Sequence, residues 1–303
     1  MNLHEDKKLF AQIVADTTKF LGLADTGIVE KDYFVTLFLK KIVAKRSDMI
    51  FKGGTSLSKC HKCINRFSED IDLGVETSFE KLTEGQRKKL KQDIISIIED
   101  TGFTLENMDQ IRSRRDFNRY VVDYHCAYDS SFLNPYLIVE TSVFIKSFPT
   151  YIMDAASLIY DFLFSRNAYD DIEKYELLPF EVKVQSLERT FIDKVFALAD
   201  YYLAKQVHQH SRHIYDLYKL YTHIKFDSDF VKLVDKVRAI RKPHPTCVSA
   251  QDGVLLHELL NKIINEDYYK ADYNQVTETL LFEKLPYIEA ITVIQRIRDA
   301  WPD

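Results

Sequence analysis

A chain of 303 residues with 46% hydrophobic and 29% charged residues has the balance of a folded globular protein, long enough for one large or two ordinary domains. A net charge of −5 excludes a globally basic nucleic-acid binder, and four cysteines exclude a disulfide-built scaffold. No apolar run approaches the roughly 18–20 residues of a membrane span, and the first residues lack the apolar core of a signal peptide, so a reducing cytoplasm is the expected location.

In chain order, helical spacing of apolar residues predicts helices over about 6–23 and 29–45. Met49-Ile50-Phe51 is a short strand that stops at Gly53-Gly54, and Thr55 or Ser56 is positioned to cap a short helix running to about residue 64. Ile71, Leu73 and Val75 alternate with Asp70, Asp72 and Gly74, which is strand periodicity. A surface helix over 81–100, strands over 117–128 and 136–145, a helical stretch over 153–166 and a strand over 180–185 follow. Beyond Ser186 only helical patterns remain, over 186–204, 212–223, 229–240, 254–264 and 276–299. The expected fold is therefore α+β, with an α/β lobe of mixed sheet over 1–185 and a helical lobe over 186–303.

The chemistry concentrates in Phe51-Lys52-Gly53-Gly54-Thr55-Ser56-Leu57-Ser58-Lys59 and in Arg66-Phe67-Ser68-Glu69-Asp70-Ile71-Asp72. A strand entering a glycine turn and then a helix offers unpaired backbone N–H groups to a polyphosphate. Gly53 and Gly54 let the backbone approach, and Thr55 and Ser56 add hydroxyls. Lys59, closing the same segment, joins this nucleotide-binding set. Asp70 and Asp72 lie two apart on a strand, so both carboxylates emerge on one face. Such a pair calls for a cation between them, and Mg²⁺ typically takes one or two carboxylates together with phosphates. The implied reaction is in-line attack of an acceptor hydroxyl on the α-phosphate of a nucleoside triphosphate (NTP), with pyrophosphate leaving. Glu140, opposite the apolar face of its strand, is the candidate third metal ligand, with Asp123 as competitor.

These segments, with Ile28-Val29-Glu30-Lys31-Asp32-Tyr33, Leu187-Glu188-Arg189-Thr190-Phe191-Ile192-Asp193-Lys194 and Arg212-His213-Ile214-Tyr215-Asp216, resemble the AbiEii/AbiGii (MenT-like) toxin family of the polymerase-β-like nucleotidyltransferase superfamily. The resemblance implies a bilobed fold with catalysis between the lobes, and catalytic roles for Asp70, Asp72, Lys194 and Asp216. It implies Mg²⁺ or Mn²⁺ as cofactor and an RNA acceptor, expected to be the tRNA 3′ end, with an antitoxin protein as partner. One departure is visible: where the family carries an arginine about two turns after the lysine, this chain has Asp200-Tyr201-Tyr202.

Transfer to a protein or a small molecule, or nucleotide binding without transfer, would use the same motifs. The arginines 112, 114, 115 and 119 form either an RNA grip or a charged loop. Cys60-His61-Lys62-Cys63 lacks a second pair at structural-zinc spacing, and the histidines 208, 210 and 213 suggest a solvated helix end.

Overall fold

The computed structural model describes residues 1–77, 82–128, 130 and 133–302. It divides into two compact units: Met1–His61 with Ser68–Val184, and Lys62–Phe67 with the chain from Gln185 onward. The short segment Lys62–Phe67 thus packs with the helical unit, a placement that no periodicity in it announces.

In the first unit, α1 (Lys7–Leu21) is capped by Asp6 and closed by Gly22 at φ 66°, and α2 (Thr26–Lys45) is capped by Asp25. β1 (Met49–Lys52) passes directly into α3 (Gly53–Lys59), so Gly53-Gly54 make the tight turn at the helix's own start. The expected cap at Thr55 or Ser56 is corrected by this: the helix starts three or four residues earlier, from Lys52 in extended conformation, and ends at Lys59. Next come β2 (Ile71–Val75), α4 (Glu84–Asp100), β3 (Thr104–Leu105), β4 (Phe117–Asp123) and β5 (Tyr136–Ser142). Thr83 and Gln86 form a capping box that sets the start of α4; Lys81, the expected start, lies outside the described residues.

β6 (Thr150–Ala155), α5 (Leu158–Ser165), α6 (Tyr169–Lys174) and β7 (Phe180–Gln185) complete the unit. The expectation of a helix from 153 is corrected: Met153–Ala155 ends a strand, and the Ser157 hydroxyl starts the helix by accepting from the Tyr160 N–H. Among the described residues the sheet has seven strands in the order β3-β4-β5-β2-β1-β7-β6 and is mixed, with β1 antiparallel to β2 and parallel to β7. Ile71, Leu73, Leu137 and Val139 are fully buried in its core, together with Val29, Phe38 and Leu39 of α2.

In the second unit, Ser186 caps α7 (Leu187–Leu203), followed by α8 (Arg212–Tyr221), α9 (Ser228–Arg241) and α10 (Leu256–Asn265). The single helix expected over 276–299 is broken. Leu281 forms a β-bridge with Arg66, the Phe67 N–H donates to the Leu280 carbonyl, and Pro286 precedes the restart. A partner distant in sequence captured that backbone, which local periodicity does not show. No helix among the described residues is long and apolar enough to cross a membrane.

Candidate active site

The register of the sheet builds the centre of the first unit. Lys52 of β1 stands opposite Asp72 of β2, Asp72 opposite Glu140 of β5, and Glu140 opposite Arg119 of β4. Residues in register share a face, so these four side chains form one row across four strands, spanning about 14 Å. Its order of charge is positive, negative, negative, positive. Asp70 lies two residues before Asp72, immediately before β2 begins.

The Asp72 carboxylate occupies the space above Gly53. A Cβ built on Gly53 would stand 1.9 Å from Asp72 Oδ2, and Gly53 has φ +74°, a conformation L side chains rarely adopt. Glycine is required here on both counts. Gly53→Ala is expected to push Asp72 aside and lower activity by about 10²-fold, as an ångström-scale misplacement does. Gly102 has the same φ of +74° with no atom within 4 Å of its would-be Cβ, so Gly102→Ala controls for backbone strain alone. Initial rates for the two variants separate clash from strain.

Thr55 and Ser56 are fully buried: the Ser56 hydroxyl donates to the Gly53 carbonyl at 2.9 Å and the Thr55 hydroxyl to Ser68 at 3.0 Å. Their protons therefore brace the glycine turn from within. Lys59 is turned away: its ammonium donates to Asp32 Oδ1, to Thr36 Oγ1 at 2.6 Å and to the Asp32 carbonyl at 3.3 Å. All three of its donors are spent on α2, which ties α3 to α2 instead of offering a charge to phosphate.

The sequence reading missed what Glu30, Lys31 and Asp32 do. These consecutive charges sit in mid-helix, and each reaches a different distant segment. Glu30 is buried and accepts from the Ala127 and Tyr128 N–H groups; burial raises its carboxyl above the usual range, against those bonds. Lys31 is fully buried and donates to Glu69, beside Asp70, and to the Asn134 carbonyl. Burial lowers its ammonium, while Glu69 and Asp70 raise it, which places Lys31 in the field of the site's carboxylates. Asp32 receives Lys59 and the Leu158 N–H at 2.7 Å. Three charges inside a helix at such cost are the available signal.

Among the described residues no three His, Cys, Asp or Glu side chains are gathered as a cage for a metal ion. Glu140 stands 3.5 Å from Arg119, and Asp123 accepts from the His125 N–H at 2.7 Å, four residues along β4 from Arg119. The other arginines are engaged locally: Arg114 with Glu84 at 3.0 Å, Arg112 and Arg115 with the carbonyls of Asp109 and Gln110.

The second unit holds a buried charge cluster of its own. Asp216, fully buried, receives Arg66 in bidentate fashion at 2.7 and 2.8 Å and the Lys194 ammonium at 2.6 Å. Burial pushes the Asp216 carboxyl up, but the two cations outweigh it and hold the group well below the usual carboxylate range. Lys194 is 6% exposed, and burial lowers its ammonium against the pull of Asp216. The solvated helix end expected for the histidines holds for His208, which is exposed, and is corrected for His210, which stacks on Tyr201 with ring centroids 3.4 Å apart and is pushed down to about 4 by burial.

A search of the curated proteins finds no match. The solved structure of MenT4, a nucleotidyltransferase toxin from Mycobacterium tuberculosis H37Rv, is similar in fold, with a TM-score of 0.51 and 13% identity, covering 95% of this chain and 88% of that one. Residues 37–300 match the model of the family described as nucleotidyl transferase AbiEii toxin, type IV toxin–antitoxin system. With a match over most of its length, and with the glycine turn and the Asp-x-Asp strand inside it, the chain belongs to the AbiEii family of nucleotidyltransferase toxins.

Proposed function

We propose that this enzyme transfers a nucleoside monophosphate from an NTP to an RNA acceptor, the 3′ end of tRNA, using a divalent metal held by Asp70 and Asp72. The observation that supports the reading is the Asp72 carboxylate lying over Gly53, with Asp70 two residues before it at the entry to β2. The donors fit the ion: two hard carboxylate oxygens ask for phosphate oxygens to complete the shell, the usual arrangement for Mg²⁺. Mg²⁺ or Mn²⁺ bound there would neutralise the triphosphate and favour attack at the α-phosphorus.

The chain's own residues do the rest. Gly53 leaves room for the Asp72 carboxylate and Gly54 keeps the backbone open to the phosphates, with Thr55 and Ser56 bracing the turn. Lys31 fixes Glu69 and so the approach to Asp70. Glu140, next in the row, is the third carboxylate, with Arg119 balancing its charge. Lys194 is the cation held ready, and Asp216 the carboxylate that positions it. A cognate antitoxin is the expected protein partner, and the cytoplasm the expected location.

The test incubates the protein with each α-labelled NTP, Mg²⁺ and total RNA or total protein. Label on an RNA 3′ terminus is the expected result; label on protein alone contradicts the acceptor. For the RNA grip, Arg112→Ala with Arg114→Ala is expected to weaken binding uniformly across sequences. The pair is also expected to flatten the salt dependence by roughly 0.7 in slope for each phosphate no longer neutralised. Titrations at several salt concentrations read this, and unchanged affinity and slope identify a solvated loop.

A further inference from the structure

β4 alternates cleanly: Asn118, Tyr120 and Val122 are buried on one face, while Phe117 and Arg119 are exposed on the other. The exposed face is the one that carries the carboxylate row, since Arg119 stands opposite Glu140 and Glu140 opposite Asp72. Phe117, 41% exposed, therefore lies bare beside that row, two residues along β4 from Arg119 and opposite the small Ser142. The Val143 N–H donates to the Asp116 carbonyl at 2.8 Å, which pins the start of β4, and with it the ring, to the end of β5. A lone exposed ring is ordinary on a protein surface. One set next to a guanidinium and a row of carboxylates, at the end of a segment with three further arginines, is not.

The order of the row says what this end of the sheet faces. Gly53-Gly54 and the start of α3 offer phosphate-binding backbone at the β1 end. In-line displacement puts the leaving pyrophosphate and the attacking hydroxyl on opposite sides of the α-phosphorus. With the triphosphate tail at the β1 end, the acceptor comes in over β5 and β4, which lie about 5 and about 10 Å from β2. Arg119 and Phe117 are the exposed side chains of β4 on that path. Arg119 is 51% exposed and 3.5 Å from Glu140, so it keeps N–H donors for a phosphate.

We propose that Phe117 stacks on the 3′-terminal base of the RNA acceptor while Arg119 pairs with its phosphate, which orients the terminal hydroxyl toward the α-phosphorus. Such stacking tolerates any sequence, because every base has a π face. The proposal rests on RNA as the acceptor and names the groups that hold its reacting end.

Two acceptors test it: a short single-stranded RNA, and the same RNA with its 3′-terminal base removed. Initial rates of α-label transfer give separate KM values for RNA and for NTP. In wild type, removing the base is expected to raise the RNA KM by about tenfold, within the range of one base–aromatic stack. Phe117→Leu keeps the apolar bulk and loses the ring. It is expected to raise the KM of the intact RNA about as much, to make the two RNAs equal, and to leave the KM for NTP unchanged. Phe117→Trp is expected to restore the wild-type KM. Its fluorescence is expected to be quenched by the intact RNA without NTP or metal, against the background of Trp301, the only tryptophan of the wild-type chain. Equal use of the two RNAs by wild type overturns the proposal, as does a wild-type RNA KM in Phe117→Leu or a fluorescence in Phe117→Trp that the RNA leaves unchanged. Label on protein and none on RNA in wild type overturns the RNA acceptor itself, and this proposal with it.

Discussion

Asp72→Asn is expected to lower nucleotidyl transfer by about 10²-fold or more while leaving the melting temperature unchanged or slightly raised. Losing one arm of the clamp on the transferring phosphate removes several kcal/mol of transition-state stabilisation. The side chain keeps its shape, so the close fit over Gly53 survives, and one of two adjacent negative charges in the row disappears. Transfer of α-label to RNA gives the rate and a thermal melt gives the fold. Activity within a few-fold of wild type would remove Asp72 from the chemistry.

Asp216→Asn is the substitution with the largest expected effect on stability. It removes the carboxylate that stands between Arg66 and Lys194, leaving two buried cations facing an amide. Breaking a buried ionic cluster by removing one partner costs about 3–5 kcal/mol. Trp301, the chain's single tryptophan and 6% exposed, lies in the same unit and reports its unfolding in urea by fluorescence. The pH dependence follows from the lowered carboxyl. The unfolded state takes up the proton near the ordinary value of 3.8, before the folded state does. The stabilisation is therefore fully present above about pH 4 and is lost as pH falls below that value; Asp216→Asn flattens this acid limb. A loss under about 0.5 kcal/mol would class Asp216 with ordinary surface positions. Lys194→Ala is expected to cost stability too, less than Asp216→Asn because Arg66 still pairs the carboxylate.

Elements with a repeating apolar pattern were legible in the sequence. β2 alternates Ile71, Leu73 and Val75 against Asp70, Asp72 and Gly74, and α7 buries Phe191, Val195 and Leu198 on one stripe. β6 was not legible because it is an edge strand: Tyr151 and Ile152 are both exposed, so no alternation between a wet and a dry face develops. The family motifs marked the pairing of a glycine turn with Asp-x-Asp, but not what individual charges do. Its place in the motif assigns Lys59 to the nucleotide, while its partners Asp32 and Thr36 come from a helix 23 residues or more away in sequence. The Arg66–Asp216 pair spans 150 residues. Contacts of this kind leave no periodic trace; their only sign is a charge where a helix or strand should be apolar, as at Glu30, Lys31 and Glu140.

Binding of Mn²⁺ together with a non-hydrolysable NTP analogue, followed by electron paramagnetic resonance, tests the central claim most directly. Wild-type protein is expected to bind the ion with the nucleotide, Asp70→Asn and Asp72→Asn to lose it, and Asp123→Asn, whose carboxylate pairs with His125, to keep it. Equal Mn²⁺ binding in wild type, Asp70→Asn and Asp72→Asn would contradict the assignment of the metal to this pair.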